Sequence, residues 1–217
     1  AGLKYFILGA FSSGFLLFGC SLIYGFTGTT NYEQLSMLFL GVYNYDVYTN
    51  GAVIGLIFVL ISVLFKLSAA PFHIWSPDIY EGSPTIVTAF FAIVPKIGLF
   101  ALAVRLFYSS FYGLFLPWQE FIIFSSIASM CIGSFGAIWQ IKLKRLLAFS
   151  AISHVGYMLI GLCCSSIESV YALFFYSIVY IAMSVCSFSL ILMIRKNHDS
   201  KKVKYIEDLT VLAKTNP

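Results

Sequence analysis

Two lysines stand where a chain of this composition least tolerates them. Lys66 falls in "VLISVLFKLSAAPFHIW" and Lys96 in "TAFFAIVPKIGLFALAV", runs that are otherwise almost wholly apolar. A lysine at the centre of a bilayer costs about 2.5–3.5 kcal/mol on insertion scales. Lys96 is at the midpoint of its run, so its stem does not easily carry the charge to either interface. Burial penalises the charged form, which brings proton exchange near neutral pH within reach. The competing reading is a lysine paired with a neighbour for packing alone. Pro95, just before it, removes one helix donor and leaves the Phe91 carbonyl unpaired, which predicts a helix kinked and open to water at that point.

Lys66 lies five residues before Pro71, which by the same argument frees the Leu67 carbonyl. The small residues of "SAAP" permit close helix approach. A span interrupted in its far third, with a charge beside the break, is the arrangement in which broken helices line transporter sites. His73 follows Lys66 by seven residues; on an unbroken helix the two would share a face two turns apart. An imidazole there is a candidate relay group, or a ring simply held by a hydrogen bond. His154, in "AFSAISHVGYMLIG", shares a helix face with Ser150 and Tyr157. It admits the same two readings, an interhelical hydrogen bond or membership of a relay. Asp78 and Glu81, in "SPDIYEGSP", lie between Ser76-Pro77 and Ser83-Pro84, which look like two helix starts. They are expected to cap short helices and face water, with a role in proton access as the alternative.

No Asp or Glu occupies the middle of an apolar run; Glu33, Asp46, Glu120 and Glu168 all fall in connections. Two intramembrane lysines without an acid in the same chain imply a partner on another helix of a longer protein or on a neighbouring subunit.

The elements that must hold these residues follow from composition. Of the 217 residues, 60% are hydrophobic and 10% charged, with mean hydropathy +0.91; soluble domains carry roughly 25% charged residues. The runs are long and lack period-two alternation, so the fold class is all-α, a polytopic transmembrane helix bundle rather than a β-barrel. Six spans of the expected length can be drawn: Lys4–Tyr24, Ala52–Trp75, Thr85–Phe107, Phe121–Gln140, Leu146–Cys164 and Val170–Ile194. They form one membrane domain over 1–217. With both ends on one side, that side receives Lys4, Lys142, Lys144, Arg145, Arg195, Lys196, Lys201, Lys202, Lys204 and Lys214; the other receives only Arg105. Lys66 and Lys96 are the two basic residues left inside spans.

Several classes are excluded. No basic patch interleaved with aromatics supports nucleic-acid binding. The cysteines (Cys20, Cys131, Cys163, Cys164, Cys186) lie in or beside apolar runs without metal or iron–sulfur spacing. No nucleotide fingerprint occurs. The opening "AGLKYF" has no cleavable signal pattern. The closing "AKTNP" puts Asn216 and Pro217 where a further helix would start, so the chain is expected to be an internal fragment of something longer.

Three stretches, "LKYFILGAFSSGFLLFGCSLIYG", "FKLSAAPFHIWSPDIYEGSPTIVTAFFAIVPKIGLF" and "IKLKRLLAFSAISHVGYMLIGL", resemble the subunit 2 family of respiratory NADH–ubiquinone oxidoreductase, complex I. The likeness covers nearly the whole chain and is strongest to mitochondrial members, with bacterial and plastid counterparts sharing the core motif. It implies an antiporter-like fold of about fourteen helices in two inverted repeats, compare. This fragment would hold the later part of the first repeat and the early part of the second. By resemblance, Lys66 is the lysine of the broken seventh helix, Lys96 that of the eighth, and His73 the histidine after a break at Pro71. The family's glutamate on the fifth helix and lysine on the twelfth fall outside the chain.

The resemblance further implies a proton-translocating subunit of the mitochondrial inner membrane, both fragment ends on the matrix side. Its partners would be other membrane subunits of complex I, the bilayer and the remaining segments of the same subunit. NADH, FMN, iron–sulfur clusters and ubiquinone would sit on other subunits, with no cofactor or metal here. Two rivals stay open, a cation/proton antiporter subunit without redox chemistry and a purely structural membrane subunit.

Overall fold

The structure is a computed structural model that describes residues 1–41, 49–164, 166–194 and 204–210. Its helices are α1 (Gly2–Thr27), α2 (Tyr32–Phe39), α3 (Thr49–Leu67), α4 (Trp75–Gly82), α5 (Thr85–Val104), α6 (Phe115–Ile138), α7 (Leu143–Cys163), α8 (Ile167–Met193) and the four-residue α9 (Glu207–Thr210). Six stretches are long and apolar enough to cross a membrane: Gly2–Thr27, Asn50–Leu67, Thr85–Ser110, Tyr112–Ile138, Leu143–Cys163 and Ile167–Met193. As helices they pair backbone groups within the segment, which a lipid environment demands, although Pro95 removes one donor from α5. Asp46, Arg195, Lys196, Lys201, Lys202, Lys214, Asn216 and Pro217 lie outside the described residues.

The bundle is built from close helix pairs. α1 runs against α3, α6 against α7, and α5 against α8, with α7 also touching α4 and α8. Small residues set the two tightest crossings. A Cβ on Gly19 would stand 2.7 Å from the Gly55 carbonyl, and one on Gly133 would stand 2.6 Å from the Ser153 nitrogen. Backbones meet there because lipid gives apolar helices no hydrophobic reason to associate, so contact must come from packing. Burial is deepest on α3 and α7, which are therefore the inner helices; these carry Lys66 and His154.

The helix is interrupted ahead of Pro71, as the sequence suggests, but it ends earlier than the span drawn to Trp75. α3 stops at Leu67, eight residues before Trp75, where the sequence reading ended the span. The break precedes Pro71: Ser68 turns the chain with φ 61°, and the Ala70–Pro71 peptide is cis. The Leu67 carbonyl, which Pro71 was expected to free, accepts the Ser68 hydroxyl at 2.5 Å. The buried, non-helical peptide of Ala70 is matched from α6. Its N–H donates to Ser129 Oγ (2.7 Å) and its carbonyl accepts from Ser125 Oγ (2.6 Å). Non-helical backbone at membrane depth persists where protein supplies such partners.

Other boundaries also move. Pro95 does not break α5, which runs through it from Thr85 to Val104. α5 then loosens into a π turn, Arg105–Ser110, and a 3-10 turn, Tyr112–Leu114. The stretch read as a polar connection before Phe121 is thus largely helical, and α6 begins at Phe115. Pro117 is tolerated there because the first turn needs no N–H partner. The amphipathic α2, capped by Asn31 through Glu33 N at 3.0 Å, lies in a stretch read as a plain connection.

Candidate functional site

Lys66 and Lys96 line one cavity of ≈ 670 Å³ between α1, α3 and α5, together with Phe65, Trp75, Phe91 and Pro95. The two lysines, thirty positions apart in sequence, are thereby brought to one space. α1 lines it with Gly9, Ala10 and Ser13 beside the rings of Tyr5 and Phe6. Trp75, the first residue of α4, stacks on Phe65 with ring centroids 6.1 Å apart and donates its indole N–H to the Phe65 carbonyl at 2.9 Å. That contact folds the chain after the break back over the end of α3.

The lysines differ in surroundings. Lys96 is 4% exposed. Its Nζ donates to the Ala151 carbonyl at 3.3 Å and to Tyr180 Oη at 3.4 Å, and it lies 5.5 Å from the Tyr180 ring centroid. Tyr180 Oη in turn donates to the Ala92 carbonyl at 3.2 Å. Lys66 is half-buried and makes no hydrogen bond or ion pair with a described residue.

The two histidines part company. His154 Nδ1 is 2.8 Å from Tyr176 Oη across α7 and α8, and its ring lies 5.4 Å from that of Tyr180. His73 is half-buried outside the cavity that holds the lysines, in the turn after the break, with its Nδ1 buried and its ring against the Pro71 backbone. The shared helix face that would have joined it to Lys66 does not exist, because the helix ends at Leu67.

Asp78 and Glu81 do not cap α4, whose N-cap makes no side-chain hydrogen bond. They pair instead with cations from other helices. Asp78 takes Lys4 of α1 and, at 3.6 Å, Arg145 of α7; Glu81 takes Lys142 and, at 3.4 Å, Arg145. Lys144 Nζ donates to the Ser83 carbonyl at 2.7 Å. The starts of α1 and α7 and the whole of α4 therefore share one rim of the bundle. The hydrogen bond from Lys4 holds the Asp78 carboxyl below its ordinary value, and that from Lys142 does the same for Glu81. The chain between 204 and 206 also returns to this rim. Leu143 N donates to the Lys204 carbonyl at 3.1 Å and Ile206 N to the Ile141 carbonyl at 3.0 Å.

Sequence reasoning missed Tyr176, Tyr180, Ser125 and Ser129. The two serines and the two tyrosines are each spaced i, i+4, which places each pair on one helix face. Among the described residues, no three His, Cys, Asp or Glu side chains stand together as a metal site.

A family model described as NADH:quinone oxidoreductase/Mrp antiporter, TM, matches residues 1–217. The chain belongs to this family. One member, NADH-ubiquinone oxidoreductase chain 2 of Marchantia polymorpha, is 52% identical over all of this chain and 44% of its own length. Among solved family structures, respiratory complex I from Thermus thermophilus with bound aureothin matches at TM-score 0.70 and 34% identity, covering 88% of this chain and 39% of the other. The Mrp complex from Dietzia sp. matches at TM-score 0.75 and 25% identity, over 85% and 33%. The chain thus spans less than half the length of these family members.

Proposed function

We propose that this chain is the central section of a proton-translocating membrane subunit of complex I, working through Lys66 and Lys96. The observation that carries the reading is the single cavity lined by both lysines. Lys66, without a hydrogen-bond or ion-pair partner among the described residues, takes a carboxylate from the remainder of the subunit. Lys96, enclosed by neutral oxygens, bears its charge at a cost that changes with the state of the Lys66 pair. Closing that pair screens Lys66 and eases protonation of Lys96; opening it exposes Lys96 to a second positive charge across the cavity and drives its proton off. Water in the cavity joins the two ammonium groups. His154, bonded to Tyr176, lies beyond Lys96 as a further relay group, and His73 reaches the lysines only through water.

Oxidation of NADH and reduction of ubiquinone take place on other subunits, which carry FMN and the iron–sulfur clusters. The section works as one membrane domain of a larger antiporter-like subunit in the mitochondrial inner membrane. The rim formed by Lys4, Asp78, Glu81, Lys142 and Arg145 faces the matrix, in keeping with the excess of basic residues on that side. Likeness to the Mrp complex favours a second reading, a cation/proton antiporter subunit without redox chemistry. The deciding experiment replaces Lys66 or Lys96 by Ala in the assembled complex and measures quinone reductase activity with proton pumping. Loss of pumping supports the proposal; full pumping in both variants sinks it. Co-purification with flavin and iron–sulfur subunits separates complex I from a free-standing antiporter.

A further inference from the structure

Behind Lys96 lies a second void, of ≈ 30 Å³, between α5, α7 and α8. Its polar lining is His154, Ser150, Ser184, Ser187 and Tyr180, and its size admits on the order of one or two waters. Ser150, Ser184 and Ser187 lie toward the ends of α7 and α8 that share the rim with Lys142. Lys96 lines the larger cavity and not this void, whereas Tyr180 lines this void and not the larger cavity. The two spaces meet where Lys96 Nζ touches Tyr180 Oη, 3.4 Å apart. Tyr180 is the one side chain among the described residues that hydrogen-bonds Lys96.

We propose that Tyr180 is the positioning residue of Lys96 and that its hydroxyl gates proton passage between the two spaces. The proposal rests on the lysine reading above and deepens it. As the side chains stand, the Tyr180 proton is donated to the Ala92 carbonyl at 3.2 Å, an oxygen that cannot take it up, so the link is closed. Rotation of the hydroxyl about its C–O bond turns that proton toward water in the small void. Lys96 then gives a proton to Oη as the hydroxyl's own proton leaves to the water. Nζ changes from ammonium to amine, the phenol ends neutral, and the water passes the charge to the His154 imidazole. Cation–π contact with the same ring holds the ammonium in place before transfer.

Titratable groups face Tyr180 from every side: Lys96 on α5, His154 on α7, Tyr176 on α8 and Tyr80 on α4. The test is therefore a pH profile of pumping-coupled turnover in the intact complex, for Tyr180→Phe beside Tyr176→Phe and Lys96→Ala. Tyr180→Phe keeps the ring and removes only Oη. Turnover is expected to fall about tenfold, the size of a lost hydrogen bond to a charged group, with the profile changed in shape and the amount of assembled complex unchanged. Wild-type turnover and profile in Tyr180→Phe, with Lys96→Ala inactive, overturns the gate and leaves the lysine reading standing. Full activity in both overturns the lysine reading itself. If Tyr180→Phe does not assemble, 2,3-difluorotyrosine at position 180 keeps the shape and makes the hydroxyl more acidic. The alkaline limb then moves to lower pH if the hydroxyl carries the proton, and an unmoved limb refutes the gate.

Discussion

Lys66 and Lys96 line the same cavity, yet their surroundings are of opposite kinds. Lys96 is closed in by α5, α7 and α8, and its contacts are a carbonyl, a hydroxyl and an aromatic ring, all neutral. Lys66, at the end of α3, stands half-buried with no contact of that sort among the described residues. One is surrounded by neutral partners. The other has no such partner among the described residues, which is why we propose an acid from the rest of the subunit for it. The difference shows that a buried lysine is defined less by its depth than by whether its partner can also carry charge.

That contrast can be broken by stability measurements on the complete subunit. The largest effect is expected for Lys66→Met, about 3–5 kcal/mol of destabilisation, because on the proposed pairing the change strands the carboxylate that the rest of the subunit supplies. Lys96→Met leaves only neutral oxygens unpaired and should cost about 1–3 kcal/mol. Denaturation of the two variants in the same detergent is the check, and a cost for Lys66→Met no larger than that for Lys96→Met would remove the distinction. Ser129→Ala tests whether the break beside Lys66 depends on α6. It unpairs the buried Ala70 N–H, for about 1–3 kcal/mol, and should raise hydrogen exchange at Ala70 specifically.

The smallest effect belongs to the rim. Asp78→Asn should cost under about 1 kcal/mol at neutral pH, since Asp78 and Lys4 both remain partly in solvent. Its pH dependence has a fixed sign. The folded carboxyls of Asp78 and Glu81 are depressed by Lys4 and Lys142, so their contribution is complete above the ordinary carboxylate range near about pH 4. It disappears as the pH falls through the lowered values. The gap between wild type and Asp78→Asn in a denaturation series should therefore close in acid and stay constant from pH 6 to 8.

Hydropathy made the helical class legible, because six apolar runs in a chain with few charges have no other use. It also singled out Lys66 and Lys96, whose rarity inside such runs is itself the signal. What escaped was set by contacts between distant segments. Pro71 marks the interruption by the local rule for proline; that the Ala70 peptide before it is held by hydroxyls from α6 is something no local rule anticipates. Asp78 and Glu81 were read as caps because their neighbours are Ser-Pro pairs, yet cations from α1 and α7 claim them. Tyr180 sat unremarked in an apolar run because a tyrosine in a membrane helix is ordinary until its neighbour is known.

The serine pair on Ala70 has a consequence for biogenesis. Ser125 and Ser129 follow Ala70 by 55 and 59 residues, so α3 leaves the ribosome long before the groups that accommodate its interrupted end exist. At about 5–20 residues per second of synthesis, the delay is about 3–12 s. Through that interval the Ala70 peptide must be sheltered by water or by the insertion machinery. The α1–α3 hairpin is thus a nascent intermediate that becomes competent for lipid only when α6 emerges and closes over it.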